Sequence, residues 1–193
     1  MTHSKVLVVD NRGQATSVKA SMTDRLIRTL RSTFDVDVVT SALPSHAPYD
    51  FSRVGWVVLS GSEYHLPQDL HKVPFSVRAI RWARQTNTPI LGICFGMQLL
   101  AHLLGGQVSR RTDDCTVAYL AHDIFVKEPV YFNHMDAVVA LPPNFTGQGI
   151  SKNMASFAHL LGDGVLGVQW HPEGTDGGKQ WMVEYIARRM RQR

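Results

Sequence analysis

The sequence predicts an α/β fold in which a doubly wound, mostly parallel central sheet is flanked by helices. Two observations support this. Five short runs are rich in valine and isoleucine and apolar at successive positions, as in strands buried on both faces. Segments with helical periodicity lie between them, and such strand–helix alternation is typical of a parallel sheet. The runs are KVLVVD (5–10), DVDVVT (35–40), VGWVVLS (54–60), PILGI (89–93) and GVLGVQW (164–170).

Four helices are predicted from apolar residues that recur every three or four positions. They cover residues 18–34, 75–83, 97–104 and a C-terminal stretch that begins at about Lys179. Between Gln107 and Phe157 the apolar runs become short, which predicts a small antiparallel sheet extension beside the main sheet. No linker or repeat interrupts the chain, so we expect a single domain over residues 1–193.

Composition excludes several classes of protein. The chain has 193 residues, 44% of them hydrophobic, and a formal net charge of +4. No apolar run reaches the roughly 18 residues that span a bilayer, so no membrane association is predicted. No aromatic-interleaved basic patch is present, which argues against a nucleic-acid partner. The N-terminal run VLVVD is too short for a signal peptide, so we expect a cytoplasmic protein.

Cys94 lies where the predicted strand 89–93 passes into a helix, in a G-x-C-x-G pattern formed with Gly92 and Gly96. A sharp strand-to-helix turn exposes a nucleophile and needs small neighbours on both sides. The helix N-terminus favours a thiolate, because its free N–H groups stabilise negative charge. A buried structural cysteine is the alternative, and we assign that role to Cys115, which follows two aspartates.

His171 is the predicted proton shuttle for this thiol. It directly follows the strand 164–170, whereas the other histidines have less informative settings, such as a loop for His65. Glu173 lies two residues further on, across Pro172, which stiffens the turn. A carboxylate on one ring nitrogen fixes the tautomer and leaves the other nitrogen for the thiol.

An oxyanion hole is predicted from two backbone amides near this nucleophile. One is the amide of Phe95, which directly follows Cys94. The other is supplied by the neighbouring strand 54–60, where Gly61 lets the backbone approach closely.

These motifs resemble those of the class I glutamine amidotransferases, which use a Cys-His-Glu triad. The segments that carry the likeness are GICFGMQLLAHLLGG, LSGSE and VQWHPEG, and it extends in order from VLVVDNRGQ to the C-terminal helix. Within the family, the elbow helix and the segment FNHMDAV followed by LPPNF are most similar to the glutaminase part of GMP synthetase. The resemblance implies a flavodoxin-like fold, and no metal or other cofactor is predicted.

The resemblance implies that Cys94 attacks the side-chain amide of glutamine, releasing ammonia and leaving a γ-glutamyl thioester. His171 would protonate the ammonia and then activate water, and Glu173 would orient His171. Gly61 and Phe95 would donate to the oxyanion. Further roles are implied as follows: Gln98 holds the glutamine, Asn133 and Met135 line its amino-acid end, and His134 and Asp136 face a synthetase partner.

The partner would be a synthetase subunit of the ATP-pyrophosphatase type on a separate chain. This chain has neither a P-loop nor the Ser-Gly-Gly motif of that synthetase, so ATP-dependent amination is expected elsewhere. Three other interpretations compete with an ammonia-supplying glutaminase. They are a stand-alone γ-glutamyl hydrolase or transferase, a catalytically silent regulatory homologue, and a cysteine peptidase.

Three segments depart from the family's pattern, and one of them, a Glu-Tyr-Gly segment expected near Arg111 to Tyr119, is not recognisable in RTDDCTVAYL. The usual Ser-Gly-Gly-Pro loop reads Ser-Gly-Ser-Glu at residues 60–63, and Ser-His-Gly-Asp reads Asn-His-Met-Asp at residues 133–136. If position 62 adopted a left-handed backbone, serine would cost about 1 kcal/mol more than glycine, and we would then expect a remodelled oxyanion loop.

Overall fold

The computed structural model describes residues 4–13, 18–110, 119–123, 125–151 and 154–192. The strands are β1 (Lys5–Asp10), β2 (Val36–Thr40), β3 (Val54–Leu59), β4 (Ile90–Ile93), β5 (Gln107–Arg110), β6 (Tyr119–Asp123), β7 (Val126–Phe132), β8 (Asp136–Ala140), β9 (Thr146–Ser151), β10 (Met154–Gly162) and β11 (Val165–Val168). The helices are α1 (Val18–Arg31), α2 (Pro74–Gln85), α3 (Phe95–Leu103) and α4 (Asp176–Met190). Two 3-10 turns cover Leu70–Lys72 and Pro172–Gly174.

The main sheet has the strand order β2-β1-β3-β4-β11-β10-β9. Its first five strands pair in parallel, while β10 and β9 are antiparallel additions next to β11. Two separate antiparallel pairs, β5 with β8 and β6 with β7, accompany it. The predicted fold class is confirmed, including the antiparallel extension.

The two faces of the sheet are covered by different helices. Leu7 and Val9 of β1 pack in the same core as α2 and α3, whereas Val6 and Val8 pack with α1 and α4. Successive residues of one strand therefore enter two separate cores. This explains why the strands are apolar at consecutive positions, as parallel strands buried on both faces require.

Two helix boundaries differ from those that the periodicity predicts. Helix α1 ends at Arg31, and Phe34 follows it in a turn in which its N–H donates to the Leu30 carbonyl at 2.9 Å. Helix α4 begins at Asp176, three residues before the predicted start. Its N-terminus is capped by the Thr175 side chain, which accepts a hydrogen bond from the Gly178 N–H at 3.1 Å.

Within the part of the chain that the structure describes, none of the helices combines the length and the apolarity needed to cross a membrane. Cys115, for which a structural role is predicted, lies outside the described residues.

Candidate active site

The candidate nucleophile, base and oxyanion loop meet at the carboxyl ends of three adjacent parallel strands. Strand β4 leads into Cys94, its neighbour β3 leads into Gly61, and its other neighbour β11 leads towards His171. Parallel strands bring their carboxyl ends to one edge of the sheet, and ligands of open α/β sheets bind at this edge. Residues that are far apart in the chain therefore become neighbours here.

Cys94 occupies a strained turn between β4 and α3. Its backbone has φ 52° and ψ −107°, a region that residues with a side chain seldom adopt. Such a conformation costs on the order of 1–3 kcal/mol and persists where surrounding contacts enforce it. Here the Cys94 N–H donates to the Val168 carbonyl at 2.8 Å, and its carbonyl accepts from the Gln98 N–H at 3.1 Å.

The glycines on either side of Cys94 allow this turn to pack closely. A methyl group on Gly96 would lie 2.5 Å from the carbonyl oxygen of Leu59, the last residue of β3. A methyl group on Gly92 would lie 2.6 Å from the carbonyl oxygen of Gly96. Both contacts involve backbone atoms, which cannot move aside as a flexible side chain can. The G-x-C-x-G pattern is thus explained by the approach of helix α3 to the sheet.

His171 and Glu173 form a buried hydrogen-bonded pair. The Nδ1 atom of His171 lies 2.9 Å from Oε1 of Glu173, and the two side chains are 2% and 1% exposed. Pro172 begins the 3-10 turn that brings the carboxylate back towards the imidazole. The backbone N–H of His171 donates to the Tyr131 carbonyl at 2.7 Å, which joins this segment to β7.

The environment of His171 favours its protonated form. Burial by itself would lower the pKa of the imidazole, but the negative charges of Glu173 and Cys94, which also accept hydrogen bonds from the ring, raise it well above 6.5. A raised imidazole pKa suits a thiolate–imidazolium pair, in which the base already holds the proton that a leaving group needs.

Gly61 lies against both members of that pair. A methyl group on Gly61 would be 3.0 Å from Cε1 of His171 and 3.6 Å from Cβ of Cys94. A residue with a side chain would therefore press on the imidazole. Phe95, the other predicted oxyanion donor, is the first residue of α3, where backbone N–H groups have no partner within the helix. Ser62 is not among the described residues with positive φ. Its backbone is therefore not left-handed, and the strain considered for serine at this position does not arise.

A buried network that the sequence did not predict supports the loop after β3, where an oxyanion donor is predicted. The side-chain amide of Asn11, after β1, donates to the Ser60 carbonyl at 2.8 Å, and its backbone N–H donates to Oγ of Ser60 at 2.8 Å. The Ser60 hydroxyl in turn donates to the Gly61 carbonyl at 3.1 Å, and Ser76 of α2 donates to Oδ1 of Asn11 at 2.6 Å. The sequence signal for this network was the position of Asn11, a polar residue directly after the buried strand β1.

A small recess opens beside Cys94. It is lined by residues 62–65, Cys94, Gln98 and residues 134–136. The Cys94 side chain is 2% exposed, and its Sγ lies 3.7 Å from the Asn133 carbonyl oxygen. The thiol is thus at the floor of a recess and not at an open surface.

The chain matches known proteins along most of its length. A family model described as glutamine amidotransferase class-I matches residues 14–184. The chain belongs to this family. The amidotransferase is 32% identical to a protein of Halobacterium salinarum that is named as one subunit of a glutamine-hydrolyzing GMP synthase, over 97% of this chain and 98% of that protein. It is 37% identical to the GMP synthase of Thermomicrobium roseum over 126 residues, which are 61% of this chain and 23% of that protein.

Solved structures share the fold of this amidotransferase. A protein from Thermoplasma acidophilum, described as a GMP synthase subunit, superimposes with a TM-score of 0.71 at 23% identity, over 99% of this chain and 98% of that one. A glutamine amidotransferase from Thermotoga maritima gives a TM-score of 0.69 at 19% identity, over 98% and 85% of the two chains. The chain spans only about a quarter of the length of bacterial GMP synthases such as those of Thermomicrobium roseum and Vibrio vulnificus.

Three residues predicted to contact glutamine lie near the recess of the amidotransferase. Gln98 is buried, and its Nε2 donates to the Asp136 carbonyl at 2.6 Å and to Oε1 of Gln169 at 3.2 Å. Met135 lines the recess, while the carbonyl oxygen of Asn133 lies beside Sγ of Cys94. Their roles towards glutamine stay predictions.

His134 and Asp136 are predicted to face a partner, and in this chain both are buried in the wall of the recess, at 2% and 4% exposed. Nδ1 of His134 lies 3.0 Å from the Asp136 carbonyl oxygen. Oδ2 of Asp136 pairs with Nδ1 of His65 at 2.8 Å. The loop histidine His65 is therefore part of the recess, which its sequence setting did not indicate.

No cluster of three or more His, Cys, Asp or Glu side chains that could hold a metal ion occurs among the residues that the structure describes.

Proposed function

We propose that this amidotransferase hydrolyses the side-chain amide of glutamine through a thioester on Cys94 and supplies the ammonia to a GMP synthetase-type subunit on a separate chain. The observation that carries the proposal is the buried His171–Glu173 pair beside Cys94, in which Nδ1 and Oε1 are 2.9 Å apart. Glu173 occupies one ring nitrogen, so the other is left to exchange a proton with the thiol and the substrate.

In the first half-reaction, the Cys94 thiolate attacks the amide carbon of glutamine, and the carbonyl oxygen becomes an oxyanion. The backbone N–H groups of Gly61 and Phe95 stabilise that charge. The intermediate collapses when the C–N bond breaks, and His171 gives its proton to the leaving nitrogen, which departs as ammonia. The γ-glutamyl group remains bound to sulfur as a thioester.

In the second half-reaction, neutral His171 removes a proton from water, and the hydroxide attacks the thioester carbon. The C–S bond then breaks, which releases glutamate and regenerates the thiolate and the imidazolium. Glu173 holds the ring in the same orientation through both halves, because its hydrogen bond to Nδ1 is made in both protonation states.

The relatives support a separate synthetase partner. The Halobacterium salinarum protein, which matches this chain over nearly its whole length, is named as one subunit of a GMP synthase. The relative from Thermomicrobium roseum is named GMP synthase and is much longer. This chain covers only 23% of it. The separate partner is therefore inferred from the subunit name of the Halobacterium salinarum protein.

The test is ammonia release from glutamine by the purified chain, compared with Cys94→Ala. We expect Cys94→Ala to abolish the activity, because the thioester cannot form. A glutamine-like electrophile should label Cys94, and the matched variant Cys115→Ala should keep both activity and labelling. Unchanged ammonia release by Cys94→Ala, or labelling at Cys115 instead, would contradict the proposal.

A further inference from the structure

The recess beside Cys94 has a negative wall. Two carboxylates, those of Glu63 and Asp136, line it, and none of its described lining residues is a lysine or an arginine. A recess with this charge favours a ligand that carries a positive group at the wall, because opposite charges attract.

Each of the two carboxylates has one buried oxygen without a hydrogen-bond partner, Oε2 of Glu63 and Oδ1 of Asp136. The other oxygen of Asp136, Oδ2, accepts from the His65 ring at 2.8 Å, so a histidine that can carry positive charge already lies beside that carboxylate. A buried carboxylate oxygen without a donor is costly, and a ligand that brings an N–H group removes that cost.

Glu63 is held close to the position of the reacting atoms. It lies two residues beyond Gly61, whose backbone lies against Cys94 and His171. The loop is fixed on both sides of Glu63, because the Tyr64 N–H donates to Oγ of Ser62 at 3.1 Å and the Tyr64 ring packs against Phe95 with centroids 6.2 Å apart. A substrate carbonyl at Cys94 would therefore have its remaining atoms beside this loop.

We propose that Glu63 is a specificity-determining residue that binds the α-ammonium group of the γ-glutamyl substrate. The inference rests on the proposed function, which puts the side-chain amide of glutamine at Cys94. Glutamine carries one cationic group, at the opposite end from that amide. The family's usual loop has an uncharged proline where this chain has Glu63, so the recognition would be a property of this chain and not of the loop in general.

The test compares two substrates that differ only at the ammonium group, glutamine and Nα-acetylglutamine, in the wild-type chain and in Glu63→Gln. We expect Glu63→Gln to lower kcat/KM for glutamine by about tenfold or more, which is typical of a lost hydrogen bond to a charged group. The same variant should change kcat/KM for Nα-acetylglutamine by less than about twofold, since that substrate has no ammonium to bind. Glu184→Gln, the same change on an exposed face of α4, should leave both substrates unaffected.

A labelling experiment checks that Glu63→Gln retains an intact thiol site. Iodoacetamide, which is small and uncharged, should alkylate Cys94 at the wild-type rate in Glu63→Gln, whereas a glutamine-like electrophile with a free ammonium should react more slowly. Equal loss for both substrates, or equal slowing of both reagents, would overturn the role of Glu63. A wild-type chain that releases ammonia from neither substrate and is not labelled by the glutamine-like reagent would contradict the proposed function as well.

Discussion

His171 is held in its protonated form by two anionic neighbours, and this has a consequence for stability that depends on pH. Its raised pKa means that the folded chain binds a proton more tightly than the unfolded chain, whose imidazole has a pKa near 6.5. The resulting stabilisation is fully present below pH 6.5 and is lost as the pH rises through the folded-state pKa. Glu173 is the largest of the contributions that raise this pKa.

Glu173→Gln should therefore destabilise the chain more at pH 6 than at pH 9. We expect the difference in the free energy of unfolding to be at least about 1 kcal/mol, since one pKa unit corresponds to roughly 1.4 kcal/mol. Urea unfolding at the two pH values measures it, and a Cys94→Ala background removes the titration of the thiol. Glu184→Gln is the control and should show no such difference. A loss of stability that is the same at both pH values would contradict the assignment of a charged His171.

At the scale of residues, the sequence predicted the three side chains that converge but missed those that support them. Cys94 and His171 were recognisable because each directly follows an apolar strand, and chain order alone brings strand ends together. Asn11 also directly follows an apolar strand, but neither Asn11 nor His65 could be assigned a role, because their partners are distant in sequence. Asn11 acts on Ser60 across 49 positions and His65 on Asp136 across 71.

At the scale of elements, the approach of α3 to β3 sets the position of Cys94, the proposed nucleophile. Gly96→Ala would put a methyl group 2.5 Å from the Leu59 carbonyl oxygen, so the helix and the strand end would have to separate. We expect a loss of about 1–3 kcal/mol in the free energy of unfolding, which is typical of an overpacked site. Thermal unfolding should show a melting temperature lower by several degrees.

Gly177→Ala is the matched control for this substitution. Its methyl group would meet Oε2 of Glu128 at 2.6 Å, but that atom is the end of a flexible and exposed side chain. Alanine also favours a helix over glycine by up to about 1 kcal/mol. The melting temperature of Gly177→Ala should therefore be unchanged or raised. Equal destabilisation by the two variants would argue against a specific contact at Gly96.

The elements themselves were predictable to different degrees. Strands β1, β3, β4 and β11 were evident because burial on both faces makes consecutive positions apolar. Strand β2 lies at the edge of the sheet and is only partly buried, but its three valines still indicate a strand. Strands β9 and β10 were not predicted, since β9 contains two glycines in TGQGIS and offers no apolar alternation. They are defined by pairing with β11 and with each other, which is a tertiary property.

At the scale of the whole molecule, the proposed function requires a second chain, and activity should depend on it. We expect ammonia release by the isolated chain to be slow and to rise about tenfold or more when a GMP synthetase-type subunit is present with its nucleotide substrates, because closure of a channelled site is commonly coupled to the partner. Steady-state glutaminase assays with and without that partner measure this. A chain that is fully active alone, and insensitive to the partner, would favour the stand-alone γ-glutamyl hydrolase.

The overall architecture was predictable because it follows from local patterns that agree with one another. Alternating buried strands and amphipathic helices leave few topologies other than a doubly wound sheet. The wall of the recess was not predictable in the same way. It combines the loop after β3 with the segment that joins β7 to β8, and these two segments are far apart in the chain.

The backbone at Cys94 has a consequence for how the chain could lose its reaction. With φ 52° and ψ −107°, position 94 is one where glycine alone is free of conformational penalty. Cys94→Gly would lack the sulfur, but its folded state should be more stable than that of Cys94→Ala, because glycine adopts this backbone conformation without strain. Thermal stability therefore favours glycine at this position, whereas the proposed reaction requires cysteine. Laboratory selection for thermal stability alone would be expected to replace the thiol.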